Sequence, residues 1–157
     1  GSIGKGPQTM NAEFGKLQFD RTLSSAPTRV FEALTSSADR MAWGPPDTDS
    51  VVLIENQPDP APGVREMSRV GPRENPYVDV ATDWIILEAP ARLIYAETLS
   101  AEGEPLGTSL ATFELDATSD GTQMRATVQI VSFVGAEMMG EMEAGWTHAV
   151  DSLANHV

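Results

Sequence analysis

The C-terminal stretch, residues 137–157, constrains the fold of this chain more than any other segment. On a helical wheel at about 100° per residue, its apolar side chains fall on one face and its polar side chains on the other. The apolar face comprises Met138, Met139, Met142, Trp146, Ala149, Val150, Leu153 and Val157. Because such a face must be covered, the pattern predicts one continuous helix over Glu137–Asn155 that packs on a sheet.

The first part of the chain predicts one strand followed by two short helices. Apolar and polar residues alternate over Leu17–Leu23, as in a half-buried strand. Pro27 suits the first turn of a helix, where a missing N–H carries no penalty. Capping side chains at residues 35–39 favour a second helix, and the Gly-Pro-Pro sequence at 44–46 must end it. Trp43 stands at that end.

The middle of the chain predicts about six further strands joined mostly by short turns. The expected strands are Val51–Ile54, Val64–Val70, Tyr77–Leu87, Arg92–Leu99, 109–115 and 123–130. The segment 77–99 has the spacing of an antiparallel hairpin, and Asp120-Gly121 marks another hairpin turn. This order of elements predicts an α+β fold, with one domain over residues 12–157. We expect residues 1–11 to be a disordered or tag-derived segment.

Composition excludes several classes of function. The 157-residue chain has no cysteine, which rules out disulfides and thiolate chemistry and favours a cytoplasmic location. Its formal net charge of −13 repels nucleic-acid phosphates and anionic lipid, so we expect neither nucleic acid nor membrane as a partner. No run of about 18 apolar residues is present to span a bilayer.

Four motifs in the right order resemble the heat-shock ATPase activator homologue family. They lie at residues 26–35 with 41–45, at 84–95, at 120–122 and at 145–153. The resemblance implies the helix-grip, or START-like, fold shared with pollen allergens and polyketide cyclases. In that fold a curved seven-stranded antiparallel sheet grips a long C-terminal helix around a cavity. One departure is that many members carry a Gly-Gly pair where this chain has only Gly63, after a proline-rich loop.

Residues with obvious catalytic chemistry are scarce. His148 falls on the wheel face opposite Trp146, so we expect it to face solvent, and His156 lies at the end of the helix. No cluster has metal-ligand spacing and no glycine-rich phosphate loop is present, so the sequence predicts no metal and no cofactor.

Alternation along the strand 77–87 assigns its two faces. The predicted concave set is Val78, Val80, Thr82, Trp84 and Ile86. Asp79 and Asp83 then point outward as solvated carboxylates, which avoids the penalty of burying an unpaired charge.

Three functions stay open on the sequence alone. The leading hypothesis is binding of a small hydrophobic or aromatic molecule between sheet and helix. The candidate ligand-binding residues are Trp43, Met67, Trp84, Phe113, Ile130, Phe133, Met138, Met142 and Trp146. A polyketide-cyclase-like enzyme is an alternative that requires a titratable group in the cavity. The candidate interior groups are Arg65, Glu66 and Arg69, and the sequence assigns none of them to that role. A co-chaperone-like or homodimeric interaction module requires an exposed apolar patch, which Leu93 and Tyr95 are expected to supply.

Overall fold

A computed structural model describes residues 11–157 as seven strands and three helices. The strands are β1 (Glu13–Leu23), β2 (Ser50–Ile54), β3 (Arg65–Pro72), β4 (Val78–Glu88), β5 (Arg92–Ala101), β6 (Glu104–Thr118) and β7 (Gly121–Ser132). The helices are α1 (Pro27–Thr35), α2 (Ser37–Trp43) and α3 (Ala136–His156). The N-terminal segment predicted over residues 1–11 lies, except for Asn11, outside the described residues.

All seven strands form one antiparallel sheet in the order β1-β7-β6-β5-β4-β3-β2. The first two strands of the chain therefore stand at opposite edges, and α1 and α2 cross from one edge to the other. The remaining strands follow one another as a meander. The predicted α+β helix-grip architecture is confirmed.

Helix α3 covers the concave face of the sheet, as its periodicity predicts. It extends one residue beyond the predicted range at each end. Its buried residues are Met139, Met142, Trp146, Ala149, Val150 and Leu153. Met138 and Val157 are partly buried against the same core. Gly135 begins the helix at a φ of 100°, a conformation that side chains with a Cβ rarely adopt.

The concave side chains of β1, β6 and β7 follow the predicted alternation, whereas those of β4 follow it only in part. Val80, Thr82 and Trp84 are buried as expected. A register shift after Trp84 then reverses the faces, so that Leu87, and not Ile86, packs on the core. A bulge of this kind inserts one residue into the period of two.

Helix α2 is joined to α1 by a cap and a side-chain hydrogen bond, which position the side chains on its inner face. The Ser36 hydroxyl accepts a hydrogen bond from the Asp39 backbone N–H and caps the helix. The Trp43 indole N–H donates to the Ala33 carbonyl at 2.7 Å. Trp43 and Arg40 are both buried as a result. Over residues 11–157, no helix combines the length and hydropathy needed to cross a bilayer.

Candidate functional site

A cavity of about 850 Å³ lies between the first half of α3, the end of α2 and strands β2–β6. Its wall is mostly apolar. The apolar lining includes Trp43, Val52, Val70, Val80, Leu99, Leu106, Met138, Met142, Trp146 and Ala149. Unbranched methionine side chains adapt to irregular shapes, so this end of α3 can close over ligands of different outline.

Tyr95 is the centre of an aromatic cluster at the cavity wall. Its ring centroid lies 5.2 Å from that of Trp84, 6.0 Å from Phe113 and 6.4 Å from Trp146. The Trp146 indole N–H donates to the Ser109 hydroxyl at 3.0 Å, which fixes the orientation of that ring. The Tyr95 hydroxyl has no hydrogen-bond partner within residues 11–157, and burial raises its pKa well above the ordinary value.

A buried ion pair lies where α2 meets the sheet. One guanidinium nitrogen of Arg40 donates to both carboxylate oxygens of Glu66, at 2.5 and 2.6 Å. The Arg40 guanidinium also lies 4.9 Å from the centroid of the Trp84 ring, a favourable cation–π distance. Arg40 lines the cavity, and its charge is balanced by the Glu66 carboxylate behind it.

Strand register places four inward polar residues in one row across the sheet. Glu66 on β3 pairs with Thr82 on β4, Thr82 pairs with Glu97 on β5, and Glu97 pairs with Ser109 on β6. Directly paired residues share a face, so all four point to the concave side. Thr82 is fully buried, and its hydroxyl has no partner in the described part of the chain.

Glu97 differs from Glu66 in having no countercharge. It lines the cavity, yet its carboxylate makes no hydrogen bond or ion pair with any residue of 11–157. Burial raises the pKa of Glu97 above its ordinary range, the Arg40 charge opposes that shift, and the Glu66 carboxylate adds to it. A carboxyl group in this setting can accept a hydrogen bond or exchange a proton with a bound molecule.

The sequence matches a known protein family over most of its length. The sequence profile described as "Activator of Hsp90 ATPase homolog 1-like protein" matches residues 24–157. The chain belongs to this AHSA1-like family. No curated protein matches the sequence.

Solved structures agree with the AHSA1-like assignment at the level of the fold. A protein from Rhizobium leguminosarum is 24% identical with a TM-score of 0.76, and the match covers 93% of this chain and 95% of that one. A protein from Rhizobium loti is 22% identical, also with a TM-score of 0.76, over 94% of this chain and 99% of that one. The AHSA1-like protein from Aeromonas hydrophila is 15% identical with a TM-score of 0.62, over 91% and 92%. At these identities the likeness concerns the fold alone.

The AHSA1-like fold brings together four of the nine candidate ligand-binding residues. Trp43, Met138, Met142 and Trp146 line the cavity. The other buried candidates, Trp84, Phe113 and Ile130, lie in the core outside the cavity lining. Phe133 is half-buried and does not line the cavity, whereas its neighbour Val134 does. Met67 does not line it either, because it lies on the outer face of β3 and is 39% exposed.

Two sequence-based expectations about surface residues are wrong. Leu93 and Tyr95 were expected to form an exposed patch, but both are buried. Since Tyr95 pairs directly with Trp84, the two side chains share the concave face. His148 was expected to face solvent, but it is half-buried and its Nδ1 lies 3.1 Å from the Pro45 carbonyl oxygen.

Sequence reasoning missed Arg40 and Glu97 as interior groups, whereas Glu66 was one of its candidate interior residues and is buried. A signal for Glu97 was present, because it follows Leu93 and Tyr95 in the period-two pattern of β5. No comparable signal marks Arg40, a single basic residue in a short helix whose partner lies 26 residues away. Among residues 11–157, no three His, Asp or Glu side chains are grouped so as to hold a metal ion.

Proposed function

We propose that this protein binds a small molecule with a hydrophobic or aromatic body in the cavity between the sheet and α3. The observation that carries the proposal is the cavity itself, about 850 Å³ in volume and lined mainly by aromatic, aliphatic and methionine side chains. Ligand sites are typically concave and mostly apolar, with volumes of about 300–1,000 Å³ and a few polar groups for orientation. The START-like fold commonly serves to bind ligands, which supports the same function.

Blocking the cavity with one large side chain tests this proposal. Met138 is partly buried and lines the cavity, so Met138→Trp adds volume where space is open. Met67→Trp is the matched control, because Met67 lies outside the cavity on the convex face. Fluorescence of N-phenyl-1-naphthylamine, a neutral apolar probe, reports binding, and thermal melting of the same samples reports folding.

We expect wild type and Met67→Trp to bind the probe with equal affinity. Met138→Trp should bind it at least about tenfold more weakly, a change in binding free energy of about 1.4 kcal/mol or more. Probe binding that Met138→Trp leaves intact contradicts the proposal, as does the absence of binding to wild type. Met142 is a poorer site for the block. Its sulfur lies 2.7 Å from where a Cβ on Gly107 would stand, so a Trp there would press on β6.

Glu97 favours a second candidate function, a polyketide-cyclase-like enzyme acting in the same cavity. A positioned carboxyl whose pKa is raised by burial suits general acid or base catalysis. Native mass spectrometry of freshly purified protein can identify a co-purifying molecule. Turnover of the recovered molecule by wild type, lost in Glu97→Gln, supports an enzyme. Recovery of the same molecule unchanged from both proteins supports binding alone.

An interaction module is less well supported, because the patch expected at Leu93 and Tyr95 is buried. A homodimer stays a prediction, and the same native mass spectra give the subunit number. Absence of nucleic-acid binding also stays a prediction from the net charge of −13.

A further inference from the structure

We infer that the ligand is an amine whose protonated nitrogen pairs with the Glu97 carboxylate while its apolar body fills the cavity. This inference rests on the proposed function and extends it by naming the polar group of the ligand. It follows from three features of the cavity: an uncompensated carboxylate, the sign of the surrounding charge, and aromatic rings beside that carboxylate.

The uncompensated carboxylate is the first feature. Glu66 and Glu97 occupy the same inward row, with Thr82 between them. At a strand spacing of about 4.8 Å their backbones are about 10 Å apart. Arg40 pairs with Glu66 and forms no ion pair with Glu97. Glu97 is half-buried. A carboxylate that is partly removed from water and has no partner is unfavourable, so a cation that enters the cavity gains the interaction that the protein leaves unmade.

The surrounding charge is the second feature. The charged residues that line the cavity are Arg40, Asp47, Glu97, Glu137 and Glu141. Because Glu66 balances Arg40, the remaining lining charges are all negative. Like charges in a partly buried site repel more strongly than in water, so an anionic ligand is disfavoured there and a cationic one is favoured.

The aromatic rings are the third feature. Tyr95 precedes Glu97 by two residues on the same face of β5, and its ring lies 6.4 Å from that of Trp146. Both rings line the cavity, as does Trp43 at the end of α2. Aromatic faces attract ammonium groups, most strongly where water is excluded. A carboxylate beside aromatic rings is therefore suited to an alkylammonium group, with the Tyr95 hydroxyl available as a further hydrogen-bond partner.

Three ligands of equal chain length separate the possible polar groups. Octylamine, octanol and octanoate compete with N-phenyl-1-naphthylamine at pH 7 and about 150 mM salt, which screens attraction by the distant surface charges. They are titrated into wild type, Glu97→Gln and Glu104→Gln. The last is the matched control, since Glu104 is an exposed carboxylate outside the cavity and its loss changes the net charge equally.

We expect octylamine to displace the probe from wild type at a concentration at least about tenfold below that of octanoate, as a charge-assisted bond requires. Glu97→Gln should lose that advantage while its affinity for octanol stays unchanged, and Glu104→Gln should behave as wild type. A thermal melt shows whether Glu97→Gln is folded. If that variant does not fold, the order of affinity of the three ligands for wild type still tests the inference.

Octanoate that binds as tightly as octylamine overturns the inference, and points instead to Arg40 as the polar contact. An amine preference that survives Glu97→Gln, or that Glu104→Gln removes equally, also overturns it. In each of these results the probe still binds, so the proposed function stands. Wild type that binds neither probe nor octylamine, the latter measured directly by calorimetry, overturns both.

Discussion

Arg40 on α2 and Glu66 on β3 form an ion pair with both side chains buried, 8% and 0% exposed. All other ion pairs within residues 11–157 have at least one side chain more than a quarter exposed. The pair joins a short helix to the sheet at the edge of the cavity. It thereby couples the stability of the fold to the shape and charge of the candidate site.

Removing one member of this pair should destabilise the protein strongly. Arg40→Ala leaves the Glu66 carboxylate buried without a partner, which typically costs about 3–5 kcal/mol in free energy of unfolding. The double variant Arg40→Met/Glu66→Leu removes both charges and should recover most of that loss. Urea denaturation at pH 7 measures both. Arg65→Ala is the control, because the Arg65–Asp83 pair is exposed and should contribute about 1 kcal/mol or less. If Arg40→Ala and Arg65→Ala reduce the free energy of unfolding equally, the Arg40–Glu66 pair does not behave as a buried ion pair.

Trp146 should be the most sensitive position on α3. Its side chain is buried against Tyr95, and its indole N–H bonds to Ser109. Truncation of a buried Trp typically costs about 3–5 kcal/mol, so Trp146→Ala should lower the melting temperature by many degrees. Trp146→Phe keeps most of the packing but removes the hydrogen bond to Ser109, so the free energy of unfolding should fall by about 1 kcal/mol. A Trp146→Ala variant that melts within about two degrees of wild type would be inconsistent with helix-on-sheet packing.

The fold was predictable because its apolar patterns are long. Twenty-one residues of α3 and twelve of β7 repeat their periods often enough to define both the element and its buried face. Prediction failed where the period is interrupted or a face depends on the neighbouring strand. The register shift after Trp84 exchanges the faces of the sheet on which Ile86 and Leu87 lie. The pairing of Trp84 with Tyr95 places the Tyr95 side chain on the concave face.

The candidate site was predictable only in its apolar part. Trp43, Met138, Met142 and Trp146 lie on helices whose inward faces follow from periodicity or from a helix end. The polar part arises from strand pairing and from a helix–strand contact across 26 residues of sequence, and neither is a local property. Glu66 was a candidate interior residue, and Glu97 could have been found as a charged residue in an inward position of β5.

Asp39 should make stability depend on pH in the acid range. Hydrogen bonds from Arg29, with a further one from His156, hold the pKa of Asp39 at about 2, below the ordinary 3.8, although burial opposes the shift. A carboxyl whose pKa is lower in the folded state contributes stability above its unfolded pKa, and that contribution is lost as pH falls from about 4 to about 2. Asp39→Asn should therefore reduce the free energy of unfolding by about 1 kcal/mol at pH 6, and flatten its decline below pH 4.

Chemical denaturation at pH 6, 4, 3 and 2 measures the Asp39 contribution. Asp120→Asn at the β6–β7 turn is the control, since the Asp120 carboxylate has no hydrogen-bond or ion-pair partner within residues 11–157. We expect the control to follow the wild-type curve. If Asp39→Asn also follows it through the window between pH 4 and 2, the contacts to Arg29 and His156 contribute nothing to stability.

Two glycines should respond in opposite ways to the same substitution. A Cβ on Gly140, an exposed position within α3, meets no atom within 4 Å, whereas glycine within a helix costs about 0.5–1 kcal/mol relative to alanine. Gly140→Ala should therefore raise the free energy of unfolding by that amount.

A Cβ on Gly107 of β6 would lie 2.7 Å from both the Met142 sulfur and the Val131 carbonyl oxygen. Because that carbonyl belongs to the paired strand β7, Gly107→Ala must displace backbone and should cost about 1–3 kcal/mol. Urea denaturation of the two variants beside wild type measures whether the free energy of unfolding rises in Gly140→Ala and falls in Gly107→Ala. A Gly107→Ala protein as stable as wild type would show that β6 and α3 are not packed this closely.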